Sequence, residues 1–510
     1  MSTLGRSAHT QAATLDLRSS AARTDAVRAT VGTGVIGGFG TAAAMWLAWF
    51  ITHLPAIRLP IAPSGVLLLA ILVLGTAITA RLAPAKAGGN TGNGRTPIFA
   101  GALAGLIAAT INLMLLGSKI VEQPQIDPTQ LDPAAKQAAG VGQLVPNAAL
   151  VIAGFLLLSA VAGAVAALIA RRRTASLGPL ATPQHRLAAM ATITCCATAP
   201  LLFIGGLVTS TESGMAVPDW PGSYGANMFL YPIGLMAHPR IFLEHAHRLF
   251  GALVGVCTVA TFVYALVAAG KGRAPLMTKL AAFGLVILVI TQGVLGGVRV
   301  TEINLFYALF HGITAQIFFA CLVAFAAVSS PLHATAAPRE ETANAGRSAR
   351  LWAFVLIGCL FLQLILGAAY RHQGHVHALY THAAFAIVAV IVAIVASFMM
   401  QRSDRESREG ALMRRIGTWI IGTVAVQFML GWVAFALVTT ADDRGGVPLY
   451  DEMAAAPDVP ALEALVATLH QANGALLLAL ATLAAVWTLR MARGTRGSDP
   501  GPSTEAGLPA

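Results

Sequence analysis

Long apolar stretches separated by shorter polar connections dominate the chain. A helix needs about 20 consecutive apolar residues to cross a hydrocarbon core of roughly 30 Å. Twelve stretches approach that length: residues 32–52, 63–82, 97–117, 147–170, 189–210, 241–269, 279–298, 305–329, 351–370, 377–400, 413–438 and 462–490. The pattern predicts an all-α polytopic membrane protein with about 12 transmembrane helices.

Composition and charge placement support this prediction and orient it. Of the 510 residues, 56% are hydrophobic and 11% are charged, with a net charge of +11. The arginines and lysines concentrate in alternate connections, at residues 81–95, 171–173, 271–279, 347–350, 402–415 and 490–493. Positive charge gathers on the cytoplasmic side of membrane proteins, so both termini are predicted to be cytoplasmic. The expected location is the bacterial cytoplasmic membrane, with lipid and not nucleic acid as the surrounding partner.

The predicted spans divide into two parts at a basic linker. Residues 1–30 are predicted to form a cytoplasmic tail, residues 31–170 a region of four spans without assigned chemistry, and residues 171–188 the linker. Two tandem four-helix bundles are then predicted at residues 189–330 and 351–490, joined by a cytoplasmic linker at 331–350 and followed by a disordered tail at 491–510. The four N-terminal spans contain almost no ionisable residues, so the sequence predicts that a chain beginning at Arg171 binds its cofactors without them.

The last eight spans carry a repeat of glycine and histidine. When the twelve spans are numbered from the N-terminus, a glycine lies near the end of the fifth, seventh, ninth and eleventh spans, here called the odd spans. A histidine lies near the beginning of the span that follows each of them. Gly296 and His311 are fifteen residues apart, and so are Gly367 and His382. The outer pairs, Gly205 with His247 and Gly431 with His470, are separated by longer loops. The repeat predicts two inward histidines at one depth in each bundle.

Four histidines at equivalent depth indicate a bound group, because a lone imidazole inside a membrane is costly. Zinc usually takes three or four protein ligands, and each bundle supplies two. Two imidazoles on opposed helices suit a haem iron, and two bundles then imply two haems. His377 is the competitor to His382. The other histidines near this end, His238, His245, His372 and His375, are predicted to be solvated.

Charged residues near the histidines distinguish the first bundle from the second. Glu244 lies three residues before His247, on the same helical face, whereas Ala308, Leu379 and Ala467 occupy the matching positions before the other histidines. Arg248, Arg299 and Arg371 are candidates to bind haem propionates, since arginine matches a carboxylate bidentately. The alternative for Arg299 and Arg371 is contact with lipid headgroups.

Several motifs together resemble those of the haem A synthases. They are "GGLVTSTESGMAVPDWPGSYG", "EHAHRLFGALVG", "GGVRVTE…ALFHGITAQ" and "LHQANGALLLA". The resemblance covers about residues 189–490, in order and in spacing. The resemblance implies that His247 and His311 flank the iron of haem O, the substrate, and that His382 and His470 bind haem b. It also implies a catalytic Glu244 and a loop over the substrate that includes Pro218, Asp219 and Trp220. Many members have a cysteine pair in this loop, which this chain lacks, and Glu212 stands where a small residue is common.

The implied reaction oxidises a ring methyl of haem O to a formyl group by two hydroxylations and loss of water, giving haem A for cytochrome c oxidase. A haem O synthase would supply the substrate, and an electron donor or acceptor of unknown identity would complete the reaction. Association into a homo-oligomer stays open. Two alternatives remain: a dihaem b-type electron-transfer cytochrome without substrate chemistry, and a histidine-using transporter, although transport sites usually lie at the midplane.

Overall fold

The computed structural model describes residues 3–83, 96–123, 142–170, 180, 182–268, 273–439 and 457–493, with side chains from residue 24 onward and none for 273 and 274. The helices are α1 Thr3–His53, α2 Ile61–Leu82, α3 Thr96–Leu116, α4 Ala148–Ala170, α5 Pro183–Ser210, α6 Pro239–Ala268, α7 Arg273–Glu302, α8 Leu305–Ser329, α9 Pro331–Thr335, α10 Glu340–Gln373, α11 Val376–Gln401, α12 Arg408–Thr439 and α13 Ala461–Ala492. Short 3₁₀ turns occupy Gly117–Lys119, Met228–Leu230 and Ile233–Ala237.

Twelve of these helices are long and apolar enough to cross a membrane. Many large apolar side chains on them stay exposed, including Leu74, Leu158 and Met429, as expected of faces that contact lipid. Across the described residues the secondary structure is helical, apart from isolated bridges such as Val121 with Leu144. The predicted all-α polytopic membrane protein is confirmed.

Several helices extend beyond the predicted boundaries, and α1 and α10 do so furthest. Helix α1 begins at Thr3, so it includes most of the predicted tail 1–30. Helix α10 begins at Glu340, within the predicted linker 331–350, and its first turn carries Glu340 and Glu341. Acidic residues interact favourably with the N-terminal end of a helix, which hydropathy alone does not detect. The linker residues 171–179 and 181, and the predicted tail from residue 494, lie outside the described residues.

The chain forms two compact units. The first contains residues up to Phe318 together with 440–468, and the second contains 319–439 together with residues from 469 onward. The boundaries fall within α8 and α13. The first unit therefore includes the four N-terminal spans and the pair His247 and His311, whereas His382 and His470 belong to the second unit.

Small residues allow close helix packing in the N-terminal spans. A Cβ on Gly105 of α3 would lie 2.2 Å from the Ser159 carbonyl oxygen of α4, so the two backbones touch. Hydroxyl groups in these spans bond to their own helix, as Thr33 does to the Ala29 carbonyl at 2.8 Å. The second unit has an apolar core that includes Leu356, Met413 and Ala481.

Candidate functional site

Each repeat histidine lies against the glycine of the preceding odd span. A Cβ on any of these glycines would crowd the Cε1 atom of the imidazole, so glycine is the residue that leaves room for the ring. The distances from such a Cβ to Cε1 are 2.9 Å for Gly205 and His247, 3.3 Å for Gly296 and His311, 3.2 Å for Gly367 and His382, and 3.1 Å for Gly431 and His470. The sequence repeat therefore reflects one packing arrangement used four times.

The histidines form two pairs of similar geometry. The ring centroids of His247 and His311 are 6.1 Å apart, with an interplanar angle of 81°. Those of His382 and His470 are 6.0 Å apart at 73°. The structure thus brings together the residues that the sequence predicted to share each site, and each pair lies within one unit.

The ring nitrogens are oriented by the odd spans. Nδ1 of His382 lies 2.9 Å from the Gln363 carbonyl oxygen, and the Gln363 side-chain amide donates to the His382 carbonyl at 3.1 Å. A histidine whose Nδ1–H is bonded to a carbonyl presents Nε2 to a metal. For His470, the Gln427 amide nitrogen is 3.2 Å from both ring nitrogens.

The rings of the first pair, His247 and His311, have fewer hydrogen bonds than those of the second pair. The Leu201 carbonyl interacts with His247 and the Gln292 carbonyl with His311. Neither contact has the geometry of a hydrogen bond, so both Nδ1 atoms are buried without a hydrogen-bond partner. Their rings are positioned by the glycine contacts more than by hydrogen bonds.

The geometry of the pairs fits a haem iron. A metal–imidazole nitrogen bond is about 2.0–2.1 Å long, so centroids 6.1 and 6.0 Å apart leave room for one iron that both imidazoles of a pair would hold. Among the described residues no group of three or more His, Cys, Asp and Glu could hold a metal ion. A haem needs two protein ligands, because the macrocycle supplies the others.

Glu244 connects the first site to the loop at residues 211–238, hereafter the covering loop. Its Oε1 accepts a hydrogen bond from Arg248 at 2.7 Å, and its Oε2 accepts one from the Val217 backbone N–H at 2.8 Å. The side chains of Glu244 and Arg248 are 6% and 9% exposed. This carboxylate is therefore a buried group with two donors, one turn from His247.

Arg248 binds the backbone of the covering loop. Besides Glu244, its guanidinium donates to the carbonyl oxygens of Asp219 at 2.6 Å, Gly222 at 2.9 Å and Val217 at 3.0 Å. A propionate would have to share or replace these acceptors, so the propionate role of Arg248 stays a prediction.

The predicted loop residues have separate positions. Asp219 organises the loop, since its carboxylate accepts from the backbone N–H groups of Tyr224 and Gly225. Trp220 packs on α7, where a Cβ on Gly297 would lie 2.4 Å from the indole ring. Pro218 is half-buried, and the Trp220–Pro221 peptide bond is cis. The loop thus rests on the helix that carries Gly296.

The remaining candidate residues differ in their distance from the sites. Arg299 lies against Gly214 of the covering loop and interacts electrostatically with both His247 and His311. Arg371 lies exposed in the last turn of α10, in the second unit. Glu212 is half-buried with a φ of 56° just after α5, and nothing in the structure explains it. His377 is exposed.

The prediction that His245 is solvated is wrong. Its side chain is fully buried, with Nδ1 3.1 Å from the Ser223 hydroxyl and its ring 5.3 Å from that of Tyr231. Burial, with the neighbouring Tyr224 and Asp219, raises the pKa of Tyr231, which keeps its hydroxyl neutral. The sequence hint was the position of His245 directly beside Glu244, on a helix that the covering loop overlies.

The fold and these sites define an integral membrane protein with two paired-histidine sites, one of them joined to a buried carboxylate. Residues 188–384 match the model of the COX15-CtaA family, described as cytochrome oxidase assembly protein. The matched segment includes Glu244, His247, His311 and His382. It leaves out the N-terminal spans and His470.

A haem A synthase from Azorhizobium caulinodans is 27% identical over 197 residues, which cover 33% of this chain and 53% of that protein. The match thus spans about half the length of this curated relative. No solved structure matches the chain.

Proposed function

We propose that the protein is a haem A synthase that oxidises a ring methyl of haem O to a formyl group. The observation that carries the proposal is the inequality of two otherwise equivalent histidine pairs: the first has Glu244 and a covering loop beside it, whereas the apolar Leu379 and Ala467 lie three residues before His382 and His470. An electron carrier needs no carboxylate at its iron ligand, whereas a substrate undergoing oxidation uses one. The family match and the haem A synthase relative support the same activity.

In this proposal the first pair binds the substrate and the protein orients it. His247 and His311 would hold the haem O iron, and the covering loop would close over the reacting methyl group. Glu244 stabilises the positive charge that develops on the methyl carbon, or takes up its proton. Its contacts with Arg248 and Val217 fix the carboxylate in place, and a carboxylate keeps further lone pairs for that task.

The second pair holds a resident haem b on His382 and His470. Haem b supplies one-electron transfer. The Gln363 backbone carbonyl orients the His382 ring and the Gln427 side chain orients the His470 ring. Asn473 in turn holds Gln427 through a 2.8 Å hydrogen bond. An external electron donor or acceptor would exchange electrons with this site, and a haem O synthase would supply the substrate. Both termini lie in the cytoplasm and the haem sites lie toward the outer face, in accord with the charge distribution.

The test is the mass-resolved haem content of the purified full-length protein after expression with haem O. We expect haem b and haem A in the wild type. Glu244→Gln should keep both haem sites loaded but form little haem A. Recovery of haem b and unmodified haem O, without haem A, from well-folded wild-type protein would favour the electron-transfer cytochrome. Normal haem A formation by well-loaded Glu244→Gln protein would contradict the role of the charge.

A further inference from the structure

The four N-terminal spans contact the covering loop at the site end of the first unit. Gln123 accepts a hydrogen bond from the Gly234 backbone N–H at 3.0 Å, and its amide is held by the carbonyl oxygens of Ser118 at 3.1 Å and Val121 at 3.0 Å. Arg58, in the connection between α1 and α2, donates to the Ala237 carbonyl. Both contacts are made to backbone groups of the loop, so they constrain the course of its main chain.

The closest approach is between Gly117 and the loop backbone. A Cβ on Gly117 would lie 2.0 Å from the Phe229 carbonyl oxygen, so a larger residue there must displace one of the two segments. Gly142, with a φ of 89°, brings a second segment of the N-terminal region to the loop, since a Cβ on it would lie 3.3 Å from the Ala226 Cβ. Backbone hydrogen bonds between residues 120–122 and 143–145 join the two segments. They present one surface to loop residues 226–237.

Aromatic packing extends this contact to the helix that carries the site. Trp46 of α1 lies edge-on to Phe250 of α6, with ring centroids 5.5 Å apart, and Phe50 stacks on Phe242 at 5.8 Å. Phe242 and Phe250 lie on either side of Glu244 and His247 along α6. Aromatic pairs of this kind add attraction beyond the area they bury. The N-terminal region therefore contacts both the loop and the helix that it covers.

The loop transmits the contact to the site. Its distal part, residues 226–237, touches the N-terminal region. Its proximal part, residues 213–225, is bonded to Glu244 and Arg248 and rests on Gly297. Backbone hydrogen bonds between Ser223 and Ala226 join the two parts.

We infer that the N-terminal four-span region positions the covering loop over the His247–His311 pair, with Gly117 and Gln123 as positioning residues. The region lies outside the segment that matches the family model, whereas the loop that it contacts lies inside that segment. The inference concerns the position of the loop, and it rests on the proposed function only where it names the His247–His311 pair as the substrate site that the loop covers. The expectation for a chain beginning at Arg171 changes accordingly: it should keep haem at His382 and His470 and lose it at His247 and His311.

The experiment compares Gly117→Val with Gly154→Val in the full-length protein. Gly154 lies in the same region, and a Cβ there would meet nothing within 4 Å. Hydrogen exchange is measured at the Val217, Tyr224 and Gly225 amides, which are bonded to Glu244 or Asp219. We expect exchange at least about tenfold faster in Gly117→Val, and wild-type exchange in Gly154→Val. Unchanged loop exchange in Gly117→Val would overturn the inference.

Two further readouts separate positioning from general instability. Gln123→Ala should also speed loop exchange, because the Gly234 N–H then loses its acceptor. The haem spectrum at His382 and His470 is the internal control, since only the first site should weaken. Equal weakening of both sites would mean that the region merely stabilises the whole protein. Absence of haem A from the wild type would contradict the proposed function and leave the exchange result standing.

Discussion

Replacing Glu244 by alanine should destabilise the protein by removing the carboxylate that joins α6 to the covering loop. Two buried donors then lose their acceptor: the Arg248 guanidinium, bonded at 2.7 Å, and the Val217 N–H, bonded at 2.8 Å. Removing one partner of a buried ion pair costs about 3–5 kcal/mol. Arg248 keeps three carbonyl acceptors, so we expect the lower end, about 3 kcal/mol, which is roughly a 150-fold change in an equilibrium constant.

Two companion variants separate the parts of this cost. Glu244→Gln keeps one acceptor oxygen, but its NH₂ group cannot accept, so one of the two donors is left unpaired at a cost of about 1–3 kcal/mol. In Glu244→Ala/Arg248→Met the stranded charge is gone as well. Because neighbours that share an interaction are not additive, the double variant should lose less than the sum of the single losses.

The assay is the free energy of unfolding of the full-length protein, measured by denaturant titration in mixed micelles. It is applied to the wild type, to the three variants above and to Arg248→Met, which completes the double-mutant cycle. A loss below about 1 kcal/mol for Glu244→Ala, the range of an exposed ion pair, would refute the reasoning. It would mean that the pair is solvated in the folded protein and that the loop does not depend on it.

Three other predictions follow from the site and its surroundings. His382→Ala or His470→Ala should abolish the low-spin haem b spectrum, while His377→Ala, at an exposed position, should leave it intact; the opposite pattern would reverse the ligand assignment. Gly367→Val should reduce haem b loading by displacing the His382 ring, while Gly358→Val in the same helix, where a Cβ meets nothing within 4 Å, should not; equal loading would refute the packing argument. Hydrogen bonds from the Ser407 hydroxyl, then the Glu406 N–H, lower the pKa of Asp404 below 3.8, so its stabilisation is present above that pH and is lost as the pH falls through the depressed value. Asp404→Asn should flatten this acid dependence in unfolding measurements, and an unchanged profile would contradict it.

Much of the architecture could be predicted from the sequence because it depends on local patterns. A membrane span needs an apolar run of a certain length, whatever its neighbours. The glycine and histidine repeat could be read as paired ligands because each glycine leaves space for one ring. Helix ends were less predictable: α1 and α10 extend beyond their apolar runs, since polar residues such as Glu340 can continue a helix.

The surroundings of the first site were decided by tertiary contacts between distant residues. Arg248 meets the Asp219 carbonyl across 29 residues, and Gln123 meets Gly234 across 111. No local pattern encodes such pairs, and for this reason His245 looked solvated although the covering loop buries it. The sequence by itself determined the spans and the histidine pairs, because hydropathy and a fixed repeat specify them. Only the tertiary structure decided what Glu244 bonds to and what the N-terminal spans contact, because those interactions exist only once the loop has folded onto α6.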